Sequence, residues 1–147
     1  MLRVIPDVYL FDLYLFFNFA SRRRMVRMWA FVITATGLMF STELLKNTFQ
    51  TPRPVDALIE TFGYAFPSGH AAGSMFLALT LCYFASSLKV PLRYLVYVLL
   101  VVATFAIGFS RFQLGVHTPF QIGAGYIVGI VFALVCIFAI RHFETKK

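Results

Sequence analysis

Residues 111–140 read RFQLGVHTPFQIGAGYIVGIVFALVCIFAI, a basic and polar start followed by a long apolar run. From Pro119 to Ile140 the run carries no charged residue, and a helix of about 20 apolar residues crosses the ~30 Å hydrocarbon core of a bilayer. Thr118 and Pro119 supply an N-cap residue and a proline at the first helical position. The stretch therefore predicts a membrane-spanning helix that begins directly after His117.

The composition of the whole chain agrees with a membrane protein. Of its 147 residues, 60% are hydrophobic and 18% aromatic, well beyond the usage of soluble proteins, and the length fits a single domain over residues 1–147. The formal net charge of +7 alone would fit nucleic acid or an anionic lipid surface. Because the charges flank apolar runs, we expect the bilayer and no nucleic acid as the partner.

Five apolar runs are bounded by charge or proline, at residues 5–20, 25–45, 71–88, 91–109 and 119–140. They predict an all-α fold, a polytopic helix bundle with about five transmembrane helices. The first run is short and carries Asp12 and Asn18, so it fits either a tilted span or an amphipathic helix in the interface. Its flanking charges run opposite to those of a secretory signal, and we expect no cleavable one. Cys82 and Cys136 lie inside runs and are predicted to be buried thiols rather than a disulfide or metal pair.

The basic residues are distributed unevenly between the runs. One side of the predicted membrane holds Arg22, Arg23, Arg24, Arg27, Lys89, Arg93, Arg141, Lys146 and Lys147. The positive-inside rule makes that side the cytoplasm. Besides Arg3, the opposite face keeps Lys46, Arg53 and Arg111. A single such residue would be explained by snorkelling at a helix end, but three of them beside two histidines predict a binding site.

Three segments carry these residues: KNTFQTPRP begins at Lys46, FPSGH ends at His70, and SRFQLGVH ends at His117. Ends of antiparallel helices meet at one membrane surface, so the segments can share a site. Ser68 is expected to be the N-cap of the third span, and free amides at helix N-termini favour phosphate. The candidate site residues are Lys46, Arg53, Ser68, Gly69, His70, Arg111 and His117.

The chemistry that fits this residue set is phosphoryl transfer, which needs positioning and neutralisation of charge on phosphate oxygens. Of two histidines, one can attack phosphorus and the other can protonate the leaving oxygen. The competing interpretation is that both are interfacial cap residues. The sequence carries no carboxylate cluster and no Cys/His spacing suited to Mg²⁺ or Zn²⁺, so we expect no metal and no cofactor.

The three segments match the motifs KxxxxxxRP, PSGH and SRxxxxxH in order, each beside a span. The chain thereby resembles the type 2 phosphatidic-acid phosphatase superfamily, membrane lipid phosphatases that share a histidine mechanism with vanadium haloperoxidases. The resemblance covers about residues 46–129. It implies that His117 is the nucleophile, that His70 is the acid for the leaving group, and that the phosphate is held by Lys46, Arg53, Arg111 and the Ser68–Gly69 amides.

The chain departs from this family in two respects. Members commonly have six spans, whereas this chain has room for five. Gln121 stands where many members carry an aspartate that orients the nucleophilic histidine, although branches resembling dolichyl-diphosphate and glucose-phosphate phosphatases carry glutamine there. A glutamine carbonyl can accept a hydrogen bond from the Nδ1–H of His117. It can equally close a capping box with the backbone of Thr118, and the sequence leaves both roles open.

The function expected from the resemblance is an integral membrane lipid phosphatase that acts at the non-cytoplasmic face through a phosphohistidine. Lipid A 1-phosphate, undecaprenyl diphosphate, phosphatidylglycerophosphate and phosphatidic acid are all candidate substrates. The small size favours a bacterial inner membrane, with the site facing the periplasm or the outside. The alternatives are a lipid phosphotransferase that uses the same intermediate and a non-catalytic phospholipid-binding protein. The sequence does not indicate the oligomeric state.

Two further segments carry structural expectations. Residues 54–66 predict a short interfacial helix with an aromatic anchor, serving either as a cover for the pocket or as a solvated acidic face. In the last run, Gly125 and Gly129 form a small-xxx-small step, which predicts close approach to another helix.

Overall fold

The computed structural model describes residues 22–54, 57–59 and 61–145. They form four helices: α1 (Arg22–Phe49), α2 (Gly69–Ala85), α3 (Val90–Gln113) and α4 (Pro119–Thr145). Within these ranges there is no strand, which confirms the all-α fold. The four helices correspond to four of the five predicted spans. The first apolar run, residues 5–20, lies outside the described residues, so a fifth helix stays a prediction.

The helix ends differ from the ends of the apolar runs. α1, α3 and α4 are long and apolar enough to cross a membrane, and α1 and α3 continue three or more residues past their runs because charged side chains can extend from the last turn into the headgroup region. α2 is instead shorter than predicted. It ends at Ala85 rather than at residue 88, because Ser86 caps it and a short turn reverses the chain before α3. Its 17 residues span about 25 Å.

The close contact between α2 and α4 is made through two glycines. A Cβ atom at Gly125 would collide with the carbonyl oxygen of Ser68, and one at Gly129 would collide with that of Ala72. This confirms the predicted small-xxx-small step. Gly123, in contrast, has no other atom within 4 Å of a built Cβ and takes no part in the contact.

The core lies where α1, α2 and α4 meet. Its buried side chains are Leu38, Ala72, Phe76, Ala133, Cys136 and Ile140. Cys136 is fully buried and Cys82 is partly buried, and neither forms a disulfide. Hydroxyl groups inside the helices are satisfied locally, because Thr34, Thr80 and Thr104 each donate to the carbonyl four residues earlier. Apolar side chains that remain exposed on the helix exteriors are suited to contact lipid.

The loop between α1 and α2 is not helical in its described part, so the predicted interfacial helix is wrong there; Asp56 and Glu60 lie outside the described residues. Prolines flank the segment, and Gly63 adopts φ +77°, a conformation that interrupts a right-handed helix. Two backbone bonds hold the loop, from Ala65 N–H to Thr51 O at 2.9 Å and from Leu58 N–H to Leu114 O at 3.0 Å.

Candidate active site

The C-termini of α1 and α3 and the N-termini of α2 and α4 meet at one end of the bundle. Lys46 lies in the last turn of α1, and its Nζ is 4.0 Å from the position that a Cβ on Gly69 would occupy. Together with His70 and Glu43, these two residues line a cavity of about 540 Å³. Lys46 Nζ donates to Glu43 Oε1 at 2.6 Å, an ion pair that the sequence motifs do not include.

Arg111 and His117 are connected by a tight helix C-terminus. Gly115 adopts φ +67°, its N–H donates to Phe112 O at 2.9 Å, and the Val116 N–H donates to Arg111 O at 3.2 Å. This pair of bonds is a Schellman motif, which favours glycine at the left-handed position. Arg111 therefore stays in the last turn of α3, while the chain reverses and brings His117 to the start of α4. The glycine within SRFQLGVH was the signal for this turn.

Arg53 ties two loops together. Its Nε donates to Gly63 O at 3.0 Å and its Nη2 to Phe62 O at 3.1 Å, both in the loop before α2. Its Nη1 donates to Val116 O at 3.4 Å, next to His117. Burial lowers the pKa of its guanidinium from the ordinary value, although arginine keeps its charge at any physiological pH. Sequence motifs assigned Arg53 to phosphate alone, and the structure adds this structural role.

The N-terminus of α2 has the features of an anion site. Ser68 occupies the N-cap position, as predicted, but its hydroxyl makes no capping bond, and Ser68 Oγ is buried without a hydrogen-bond partner within the described residues. The first helical bond joins Ala72 N–H to Ser68 O at 3.0 Å. The three preceding amides, from Gly69 to Ala71, are therefore helix-end donors of the kind that binds phosphate.

Gln121 contacts both groups that the sequence left as alternatives. Its Oε1 accepts from Thr118 N–H at 3.0 Å, and its own N–H donates to Thr118 Oγ1 at 3.3 Å, which completes a capping box. The same Oε1 lies 3.3 Å from His117 Nδ1. Thr118 N–H can only donate, so the Gln121 side-chain atom that faces it and His117 Nδ1 is the amide oxygen. This oxygen can only accept, so His117 Nδ1 must carry the ring proton. Nε2 then keeps its lone pair.

His117 is buried and its environment favours the neutral imidazole. Burial is the largest influence and lowers its pKa, and the charges of Arg53 and His70 act in the same direction. Hydrogen bonds with Gln121 and with the backbone of Ala65 raise the pKa but do not cancel these effects. Ala65 is a contact of the site that no sequence motif indicated.

His70 lies at the start of α2, before the apolar run that begins at Ala71. Burial lowers its pKa, and the charges of Arg111, Lys46 and Arg53 lower it further. All three cations are therefore within electrostatic range of one histidine. Ser68 and Gln121 are adjacent, because Ser68 N–H donates to Gln121 O at 3.1 Å. This bond occupies the Ser68 amide, so the prediction that this amide holds phosphate is wrong, and the helix-end donors begin at Gly69. The structure thus brings together every residue that the sequence selected for the site.

A metal centre was not expected from the sequence. Within residues 22–54, 57–59 and 61–145, no cluster of three or more His, Cys, Asp or Glu side chains is arranged to hold a metal ion. The groups that converge at this end are cations, imidazoles, helix-end amides and the carboxylate of Glu43.

Two known proteins resemble this chain, one in sequence and one in fold. The chain is 33% identical over 113 residues to a probable sphingosine-1-phosphate phosphatase of Dictyostelium discoideum, an alignment that covers 68% of this chain and 28% of that relative. The fold of this chain matches the crystal structure of a transmembrane PAP2-type phosphatidylglycerolphosphate phosphatase from Bacillus subtilis, with a TM-score of 0.65 and 23% identity. The match covers 97% of this chain and 69% of the Bacillus chain.

The match to a transmembrane fold agrees with the three long apolar helices, and the chain is an integral membrane protein. The family comparison covers the bundle and the site together, since the model of the PAP2 superfamily matches residues 27–144. That range includes all three motifs whose residues converge at one end of the helices. The chain therefore belongs to the PAP2 superfamily of membrane lipid phosphatases, and the resemblance drawn from its motifs is confirmed.

Proposed function

We propose that this chain, as a single domain over residues 1–147, hydrolyses a phosphate or diphosphate ester of a lipid at the non-cytoplasmic face, through a phosphohistidine on His117. The observation that carries the proposal is the convergence of two histidines and three cations at one end of the bundle. Family membership supports the reaction class.

In the first step, Nε2 of neutral His117 attacks phosphorus, and the bond from phosphorus to the lipid oxygen breaks. The negative charge of the bound phosphate offsets the three cations that lower the pKa of His70 in the free site, so His70 carries a proton in the complex. It donates this proton to that oxygen, and the lipid leaves as an alcohol, or as a phosphate when the substrate is a diphosphate. The bond between His117 Nδ1 and Gln121 Oε1 supports this direction of attack, since it leaves Nε2 unprotonated.

In the second step, a water molecule attacks the phosphorus of the phosphohistidine. His70, now neutral, accepts a proton from this water, the P–N bond breaks, and the bonding pair returns to Nε2 of His117. Inorganic phosphate leaves, and both histidines recover their starting protonation states. Once Nε2 bonds to phosphorus while Nδ1 keeps its proton, the ring of His117 carries a positive charge. A carboxylate partner would stabilise that charge, whereas the neutral oxygen of Gln121 orients the ring and accepts the Nδ1–H bond.

The phosphate oxygens are held by Lys46, Arg111, the amides at the start of α2, and Arg53. Each Nη of Arg53 carries a second N–H besides the one that binds a carbonyl. Such preorganised donors stabilise the charge that spreads over the equatorial oxygens in the transition state.

The substrate class is a phosphorylated lipid in the outer half of the bilayer. The relatives are named as a probable sphingosine-1-phosphate phosphatase and as a phosphatidylglycerolphosphate phosphatase. Lipid A 1-phosphate, undecaprenyl diphosphate and phosphatidic acid fit the same chemistry. We place the enzyme in a bacterial inner membrane with the site facing the periplasm, and the concentration of arginines at the opposite end supports this orientation.

Phosphate release from a panel of these lipids, measured with purified protein in detergent, tests the proposal. Wild-type protein should release phosphate from at least one lipid, and His117→Ala should lose that activity by at least about a thousandfold. His142→Ala is the matched control, because it removes a histidine near the far end of α4, and it should keep wild-type activity. Absence of phosphate release from every lipid by the wild type, or full activity of His117→Ala, would refute the hydrolase.

The products distinguish a phosphotransferase from a hydrolase. A hydrolase yields one free phosphate for each lipid cleaved, whereas a transferase yields a newly phosphorylated acceptor and little free phosphate. Supplying a lipid or sugar acceptor in the same assay and measuring both products decides between them.

A further inference from the structure

Glu43 is an acidic residue at the wall of a cavity built for an anion. It lines the 540 Å³ cavity together with Lys46, Gly69 and His70. The other acidic residue in the described part of the chain, Glu144, lies in the last turns of α4 and pairs with Arg27. No catalytic step proposed above uses Glu43.

The cavity is polar at one end and apolar at the other. Its polar wall is formed by Glu43, Lys46 and His70, and its apolar wall continues along the helices through Met39, Leu77 and Ile107. This gradient fits the junction between a lipid headgroup and its chain, with the phosphate at Lys46. Glu43 is then placed beside the carbons nearest the phosphate.

Glu43 and the phosphate compete for the same partner. Glu43 Oε1 is 2.6 Å from Lys46 Nζ, and its side chain is 63% exposed whereas that of Lys46 is 19% exposed. A phosphate group carries more negative charge than a carboxylate, so bound phosphate replaces Glu43 as the partner of Lys46. The carboxylate, which water can still reach, then lies next to a second negative charge, and a positive charge on the substrate at that point is favourable. An ionised carboxylate can only accept hydrogen bonds.

We propose that Glu43 is a specificity-determining residue that binds an ammonium group of the substrate, carried on the carbon next to the phosphate-bearing one. An ammonium group supplies both the donors and the positive charge that Glu43 loses when Lys46 turns to phosphate. The inference rests on the proposed phosphatase function and narrows it to phosphorylated amino lipids.

The test compares two lipids that differ only at this nitrogen, which carries a positive charge in one and a neutral acetyl amide in the other. Sphingosine 1-phosphate carries the free amine, and its N-acetylated form keeps the chain and the phosphate but loses the positive charge. Values of kcat/KM are measured for both lipids with wild-type protein, Glu43→Gln and Glu144→Gln. The last variant is the matched control, since it removes one carboxylate at the opposite end.

Wild-type protein should prefer the free amine, and Glu43→Gln should lower kcat/KM for that lipid by about tenfold or more. The same variant should leave the N-acetylated lipid unchanged or improve it, and Glu144→Gln should keep the wild-type preference. The inference is overturned if Glu43→Gln changes both lipids equally, because Glu43 would then act only through Lys46. It is also overturned if the wild type shows no preference for the amine.

Phosphatidic acid, which lacks the amine, separates failure of this inference from failure of the phosphatase function. Hydrolysis of phosphatidic acid without a preference for the free amine rejects the role of Glu43 and leaves the phosphatase intact. Absence of phosphate release from every lipid in the panel rejects the phosphatase, and the inference with it.

Discussion

At the scale of single residues, the site depends on the oxygen of Gln121. One carbonyl oxygen has two lone pairs, and here it faces Thr118 N–H at 3.0 Å and His117 Nδ1 at 3.3 Å. Helix capping and imidazole orientation are therefore compatible in one side chain. Glutamine in place of an aspartate keeps the geometry and gives up the negative charge.

Replacing Gln121 by alanine should affect stability and turnover together. Loss of the capping box costs about 1 kcal/mol of unfolding free energy, and loss of the Nδ1 contact lets the imidazole rotate or change tautomer, so kcat should fall by about tenfold or more. Thermal unfolding and steady-state kinetics measure the two effects. Unchanged kcat with a lowered melting temperature would mean that Gln121 serves the helix alone.

Gln121→Glu should shift the pH dependence of the reaction. In the proposed mechanism His117 attacks as the neutral imidazole, so activity is lost as the pH falls through its pKa. Burial holds that pKa below the ordinary value of about 6.5, and the acidic limb of kcat/KM for the wild type should lie below that pH. A carboxylate at position 121 raises the pKa, so the limb should move to higher pH. A limb at the same pH in both proteins would exclude His117 as the group that titrates.

At the scale of elements, catalysis depends on how closely α2 and α4 approach. Ser68 and His70 lie at the N-terminal end of α2 and His117 and Gln121 at that of α4, and the helices meet through backbone at Gly125. Where two helices pack this closely, an added methyl group at the contact must move one helix away from the other. The relative position of the two histidines is thus controlled by a residue that touches neither of them.

Gly125→Ala should separate the two histidines. The added Cβ would collide with Ser68 O, costing about 1–3 kcal/mol of stability, and a displacement of about 1 Å should lower kcat/KM by about 100-fold. Gly123→Ala is the matched control, because nothing lies within 4 Å of its Cβ, and it should behave as wild type. If both variants lost the same stability and kcat/KM, the effect would come from replacing any glycine in α4 rather than from the contact with α2.

At the scale of the whole molecule, the two ends of the bundle differ in charge and in role. One end holds His70, His117 and the helix-end amides, and the other carries exposed arginines at the start of α1, with Arg27 bonded to Glu144 at 2.6 Å. Antiparallel packing concentrates the site at one membrane surface. The orientation of the bundle then decides which leaflet supplies the substrate.

Cysteine labelling in intact cells tests that orientation. In a protein whose Cys82 and Cys136 are replaced by alanine, Phe62→Cys introduces a thiol at the site end, where the native side chain is 92% exposed. A membrane-impermeant thiol reagent should label it from outside. Arg23→Cys, at the opposite end, should react only after permeabilisation. Reversal of this pattern would place the site on the cytoplasmic face.

The sequence by itself determined the class of fold, the candidate residues of the site and the expected orientation. These features can be read from the sequence because they depend on residues that are neighbours along the chain. The signals are the apolar runs, the proline and glycine positions and the distribution of arginines, which determine burial in lipid, helix capping and orientation. The end of α2 and the conformation of the loop before it were less predictable. Ser86 ends α2 and Gly63 interrupts helix formation in the loop, through backbone conformations that a hydropathy pattern does not report.

Only the tertiary structure decided how the site residues divide their contacts. The double contact of Gln121, the clamp that Arg53 makes on two loops, and the close approach at Gly125 all depend on which distant segments meet. A motif names the side chains that gather at a site, whereas packing decides which donor faces which acceptor. For that reason Glu43, only three residues before the motif lysine, became a candidate for substrate recognition only when the cavity around Lys46 was seen.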